Sequence, residues 1–277
     1  MDKHLIQSAP SSMYYIPDFI SAEEEASIID KVCHTGGLLY LAVTQHFRRG
    51  ANIESNIAVE DRKIGFNDLT TNERSLTQIP SNRWITLSHR RLQAVPARLT
   101  ATNTLLAATP LPEWLLRPMT DRFHDLGIFE GAPHGVNHCL INEYLPGQGI
   151  MPHEDGGAYH PVVATVSLGG TIVLDVTAKS PSNAGDASLM RWRILQEPRS
   201  LLVTTAAAYT ETLHGIAEVH EDVDLRPETV ANWDLLGDRE AINAKGNMNE
   251  RTTRISLTYR NVLKVSSLGN KLFGRTK

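Results

Sequence analysis

The sequence predicts an α+β protein that is mainly β, with helices packed on one side of an antiparallel β-sandwich or jelly roll. Two observations carry this expectation. Helical patterns fall in the first half of the chain, and from Val136 onward short β-like runs follow one another, most of them separated by turns rich in Gly, Pro and Asn. The 277 residues are 41% hydrophobic and 21% charged, an ordinary balance for a globular chain with a sizeable core.

The elements follow in order. Ser21 and Glu24 form a capping box after the run Tyr15–Ile20, and Ala26, Ile29, Val32 and Cys33 recur at helical spacing, so a helix is expected over Ala22–Cys33. From Thr35 to about Pro80 neither a helical nor a strand period holds, and residues 35–79 read as a disordered, peripheral insertion. Order resumes at Trp84-Ile85-Thr86-Leu87, followed by the basic segment His89-Arg90-Arg91 and by Arg98. A second helix is expected over Glu113–Leu126, with Pro110 and Pro112 at its entry and Gly127 at its exit. The β-like runs are Val136–Leu145, Val162–Leu168, Thr171–Val176, Leu189–Leu195, Ser200–Thr204, His214–Val219 and Thr253–Tyr259.

Composition narrows the function classes. With 27 Lys+Arg against 31 Asp+Glu, the formal net charge of -4 argues against tight, indiscriminate nucleic-acid binding but leaves room for a local basic groove. No apolar run reaches the roughly 18 residues that a membrane-spanning helix needs. The first residues lack the apolar stretch of a secretory signal. Cys33 and Cys139 cannot make a disulfide framework or a four-cysteine zinc site, which fits a reducing, intracellular compartment.

The stretch Gly149-Ile150-Met151-Pro152-His153-Glu154-Asp155-Gly156 carries the clearest chemistry. Side chains alternate across a strand, so His153 and Asp155 share one face while Glu154 points away. A His and a carboxylate on one face can hold a metal ion from one side. A third ligand must come from elsewhere; His214 opens a later β-like run, while His160 and His220 compete from more polar, turn-like surroundings. Two His and one carboxylate with open positions form the facial triad of non-haem Fe(II) oxygenases. On the last strand, Arg254, Ser256, Thr258 and Arg260 lie on one face, opposite Ile255, Leu257 and Tyr259. Two guanidiniums on one face cannot be buried without anionic partners, and a dicarboxylate would supply two. The exposed face of an edge strand would explain the same pattern. Asn142 and Tyr144 likewise share a face and offer hydrogen bonds, or form a cross-strand polar pair.

The order Asn-x-Tyr, His-x-Asp, distant His and Arg-x5-Arg resembles the AlkB family of Fe(II)/2-oxoglutarate dioxygenases. The wider wording, Leu140 to Gly156 with Ser167-Leu168-Gly169, Glu197 to Leu202 and Leu213-His214-Gly215-Ile216, is similar to the sixth-homologue subgroup of eukaryotic AlkB proteins. The likeness covers about residues 14–34 and 80–264, and 35–79 have no counterpart in it.

The resemblance implies a double-stranded β-helix with supporting N-terminal helices, and residues 1–277 read as one dioxygenase domain. Within it, 14–34 and 80–135 would form the helical and lid part, 136–264 the jelly-roll core and 265–277 a tail. It implies His153, Asp155 and His214 as iron ligands, and Asn142, Tyr144 and Arg254 as holders of the distal carboxylate of 2-oxoglutarate. Arg260 would lie near the metal-binding end of that co-substrate. Ser256 stands where the bacterial founding member has Asn, which removes one amide donor. Trp84, Arg90 and Arg91 match the family's nucleotide-recognition lid, with the two arginines placed to meet phosphates. The implied activity is O2- and 2-oxoglutarate-dependent hydroxylation or demethylation, with alkylated DNA or RNA as the family's default substrate and a protein side chain as the other. The implied setting is a monomer in the nucleus or cytoplasm, with no membrane partner. A metal-binding jelly roll without turnover, or a cupin-type metal enzyme of other chemistry, would share part of this pattern.

Overall fold

The residues described in this computed structural model are 1–34, 84–106, 110–179 and 190–266. Two antiparallel sheets form the frame. The larger has seven strands in the spatial order β1 (Met13–Ile16), β10 (Leu201–Thr205), β7 (Tyr159–Gly169), β14 (Arg254–Val262), β5 (His138–Tyr144), β3 (Arg90–Val95) and β2 (Ile85–Leu87). The smaller has four, in the order β6 (Ile150–His153), β11 (Thr212–Ile216), β8 (Ile172–Ala178) and β9 (Arg191–Gln196). From β5 to β11 the chain passes between the sheets at every step except the β8–β9 pairing, and β14 returns to the larger one. This is the expected jelly roll. Two short pairs complete it: β12 (Glu221–Asp222) with β13 (Asn249–Glu250), and β4 (Thr104–Leu105) with β15 (Lys264–Val265).

The sequence of β14 explains the layering. It lies between β5 and β7, and all nine of its residues are buried. The reading of its polar face as an exposed edge therefore does not hold. Ile255, Leu257 and Tyr259 pack outward into a core shared with Phe19, Ile28 and Val32 from the N-terminal segment and with Leu115, Met119 and Phe123. Tyr259 meets the Phe123 ring edge-on at 5.3 Å, and its hydroxyl donates to Leu115 O at 2.7 Å. The strand period then turns Arg254, Ser256, Thr258 and Arg260 the other way, toward the smaller sheet.

The first helix, α1 (Ala22–His34), has the expected capping box: Ser21 N donates to Glu24 Oε2 at 2.8 Å, and Glu24 N to Ser21 Oγ at 3.2 Å. The second expected helix is instead two, α2 (Glu113–Leu116) and α3 (Met119–Asp125). Pro118 has no N–H to give and holds the preceding Arg117 extended, at φ -90° and ψ 131°, which ends α2. Two short helices, α4 (Ala206–Glu211) and α5 (Arg239–Ala244), and the strands β1, β2 and β3 add to the sequence reading. In the β2–β3 hairpin, charged and apolar residues fall on both faces, so alternation was hidden. The insertion expected at 35–79 and residues 267–277 of the expected tail lie outside the described residues. No described helix is long and apolar enough to cross a membrane.

Candidate metal and co-substrate site

The histidines are brought together by strand pairing. His153 ends β6, and antiparallel pairing with β11 sets His214 directly opposite, with ring centroids 4.5 Å apart. The strands approach so closely that a Cβ on Gly215 would lie 2.9 Å from Pro152 N and 3.0 Å from Ile150 O. The His153 Nδ1–H donates to Met151 O at 3.0 Å, which leaves Nε2 as the ring's free lone pair. Asp155 lies just past the strand end, where Gly156, at φ +81°, turns the chain. Tyr209 on α4 braces this turn by donating to Gly156 O at 2.8 Å. One ligand atom from each of His153, Asp155 and His214 lies within 4.8 Å of the others. Burial pushes the His214 imidazole down to about 4, against the pull of Asp155, so it is the neutral form that can ligate a metal at neutral pH. Glu154 turns away to pair with Lys179. Neither His160, which lines a groove with Phe129 on another face, nor His220, packed against Gly147, joins the group.

Arg260 reaches Asp155 from β14; the ion pair is nearly dry, with side-chain exposures of 9% and 7%. Its guanidinium also stacks 4.8 Å over the Tyr159 ring. Burial works against its charge, yet Asp155 and Tyr159 hold its pKa above the ordinary guanidinium value.

Arg254, six residues earlier on the same face, is placed differently. It is 2% exposed, and Nη2 donates to two neutral acceptors, Ser167 Oγ and Gln196 Oε1, both at 2.9 Å. Nε is buried without a partner, and the charge faces the Tyr144 ring at 5.8 Å. Burial lowers its pKa to about 10. Arg254 lines a cavity of about 110 Å3 between the sheets, and Asn142, Tyr144, Ser256, His153, Asp155, His214 and Arg260 line it too. Among the described residues, Asn142, Tyr144 and Ser256 donate no side-chain hydrogen bond into the protein. A desolvated cation ringed by unused donors fits an anion, and the three-residue cluster beside it fits a divalent metal.

The three residues expected to meet substrate are separated. Arg91 pairs with Glu143 at 2.6 Å and stacks 4.3 Å from the Trp84 ring, on the sheet face away from the cavity. Arg90 faces the cavity with its Nε buried and unpartnered. Tyr209, Tyr159, Ser167 and Gln196 were not found by sequence reasoning. Ser167 and Gln196 reach Arg254 only through sheet pairing and packing, and Gln196 follows an apolar run that offers no local signal.

A profile of the 2OG-Fe(II) oxygenase superfamily matches residues 12–260. The chain is 33% identical over 270 residues to a Danio rerio protein named "Probable RNA/DNA demethylase ALKBH6", covering 96% of this chain and 92% of that one. It is 30% identical over 130 residues to the Xenopus tropicalis tRNA (carboxymethyluridine(34)-5-O)-methyltransferase alkbh8, 47% of this chain but 19% of that protein. The solved structure of OsALKBH1 shares the fold, with a TM-score of 0.51 at 14% identity over 92% of this chain and 99% of the other. The chain thus belongs to the 2OG-Fe(II) oxygenase superfamily and is a dioxygenase. Within that class it is of the AlkB type, with Fe(II) as cofactor and 2-oxoglutarate and O2 as co-substrates. Nothing in the fold or the relatives favours the non-catalytic or cupin-type alternatives.

His138, opposite Arg260 on β5, gives this region a pH dependence. Its Nε2 donates to Ala97 O at 3.2 Å, and burial, with Arg260 nearby, pushes its pKa down to about 4. The unfolded chain takes up this proton near pH 6.5 and the folded chain does not, so stability falls as pH drops from about 6.5 toward 4. At pH 5 the loss from this group is about 2 kcal/mol. Urea unfolding at pH 7.5 and 5.0 is expected to show a smaller difference in His138→Gln than in the wild type; equal differences would refute the assignment.

Proposed function

We propose that this chain oxidatively demethylates alkylated nucleic acid, with Fe(II) held by His153, Asp155 and His214. The distal carboxylate of 2-oxoglutarate is held by Arg254, Asn142, Tyr144 and Ser256, and Arg260 lies toward the metal-binding end. The observation that carries the assignment is the buried Arg254 charge, partnered only by neutral groups, in the same cavity as the three-residue cluster. With both bound, the metal and co-substrate supply O2-driven hydroxylation of a C–H bond, while 2-oxoglutarate becomes succinate and CO2. A hydroxylated N-methyl group then leaves as formaldehyde.

The chain's own residues set the geometry of this reaction. The Met151 carbonyl fixes the His153 ring, Tyr209 braces the turn carrying Asp155, and Arg260 orients the Asp155 carboxylate. The other end of the cavity, around Arg254, Asn142, Tyr144 and Ser256, is buried between the sheets. Arg90, facing the cavity from β3, suits a phosphate or base carbonyl of the substrate, whereas Arg91 and Trp84 support the fold. The Danio rerio relative's name favours nucleic acid over protein as substrate, and with it a nuclear or cytoplasmic setting.

Three measurements check this reading. Anaerobic Mn(II) titration is expected to show that Asp155→Ala greatly weakens metal binding and that Glu154→Ala leaves it nearly unchanged, since Glu154 faces Lys179; the reverse order would exclude this ligand set. Arg254→Ala is expected to weaken 2-oxoglutarate binding by about 2–5 kcal/mol while sparing the metal, with Arg254→Lys between the two. Formaldehyde is expected from N-methylated oligonucleotides, and release only from methylated peptides would move the substrate to protein.

A further inference from the structure

We propose that Gln196 is itself a ligand of the co-substrate, donating its side-chain amide to the distal carboxylate of 2-oxoglutarate beside Arg254. This rests on the site assignment above. Gln196 ends β9 on the smaller sheet and reaches across to the larger one. It is 2% exposed and lines the cavity.

The orientation of the amide is fixed by chemistry. Oε1 lies 2.9 Å from Arg254 Nη2 and 3.0 Å from Ser167 Oγ. A guanidinium has only donors, so the atom beside it must be the amide oxygen. The nitrogen, with two N–H groups, is then the other end. It donates no hydrogen bond to any described residue, and it is not among the buried atoms left without a partner, as Arg254 Nε is. An amide nitrogen that is unpaired yet not sealed in, on a residue lining the cavity, is open to that cavity. Asn142, Tyr144 and Ser256 present unused donors around the same space.

The choice of a neutral residue at position 196 has a consequence. A carboxylate there would neutralise Arg254 from within the protein and repel an anionic ligand. The amide instead binds Arg254 through its oxygen, leaves the positive charge uncompensated, and adds two donors pointing to where an anion would lie. Arg254 and Gln196 act together: the first supplies charge, the second direction.

The alternative role is purely structural, a polar tie between sheets through Oε1. Isothermal titration into Mn(II)-loaded protein without oxygen separates the two, using 2-oxoglutarate and 2-oxopentanoate. The latter keeps the chelating end and carries a methyl group in place of the distal carboxylate. Gln196→Leu is expected to lower 2-oxoglutarate affinity about tenfold and leave 2-oxopentanoate affinity unchanged. Gln196→Glu, which keeps the acceptor for Arg254 and Ser167, is expected to lower it about a hundredfold or more with the same selectivity. Because both ligands are measured on the same protein, a general loss of packing moves both affinities and leaves their ratio unchanged. A wild-type ratio in both Gln196 variants, while Arg254→Ala abolishes the preference, overturns the role of Gln196 alone. A wild type that does not prefer 2-oxoglutarate overturns the site assignment as well.

Discussion

Two guanidiniums stand six residues apart on the inner face of β14, and neither reaches bulk water. Holding a cation in such a place costs several kcal/mol unless an anion accompanies it. The chain meets this constraint at only one end. Arg260 has Asp155, whereas Arg254 has a hydroxyl, an amide oxygen and the face of a tyrosine ring. The cavity is therefore polarised along the strand, balanced near the histidines and electrically incomplete at the far end. A ligand with a carboxylate at the proper distance completes it.

That polarisation is only useful if β14 cannot slip. A shift of one residue would bring Ile255, Leu257 and Tyr259 into the cavity and force the arginines against α2 and α3. The outer face opposes this with a dense core, in which the Tyr259 hydroxyl is fastened to Leu115 O and its ring to Phe123. Pairing on both sides, Ser256 opposite Asn142 on β5 and opposite Ser167 on β7, places three small polar groups level with one another. The apolar packing behind the sheet thus sets the precision of the polar site in front of it.

How much of this could be read from the chain follows from how local each arrangement is. The alternation of β14 is a period-two pattern in consecutive residues, so its two faces were legible, though not that the strand is central. His153 and Asp155 were placed together by the same rule, but β6 stops at His153 and the glycine turn brings Asp155 round. Neighbouring arginines misled: Arg90 and Arg91 look alike in sequence, and only the pairing with β5 sends one to the cavity and the other to Glu143. The break at Pro118 was in the sequence and was overridden by the helical pattern around it. The contacts of Gln196 and Ser167 with Arg254 were illegible in principle, because sheet pairing and packing between the sheets bring them together.

The Asp155–Arg260 pair also bears on the order in which the site fills. Arg260 Nη2 engages Oδ1 of the carboxylate, which leaves Oδ2 as the oxygen free to bind a metal. The negative charge of Asp155 is already opposed by Arg260, so two imidazoles and a shared carboxylate would give a divalent cation little net charge to balance its own. In the proposed site a dianionic co-substrate would change this, since one carboxylate would offset the excess at the metal while the other met Arg254. Each ligand would then relieve a charge that the other site leaves uncompensated, and by linkage each would raise the affinity of the other by the same factor. The two arginines on one strand would be the reason: one would weaken the hold on a bare metal, and the other would reward only the molecule that spans the distance between them.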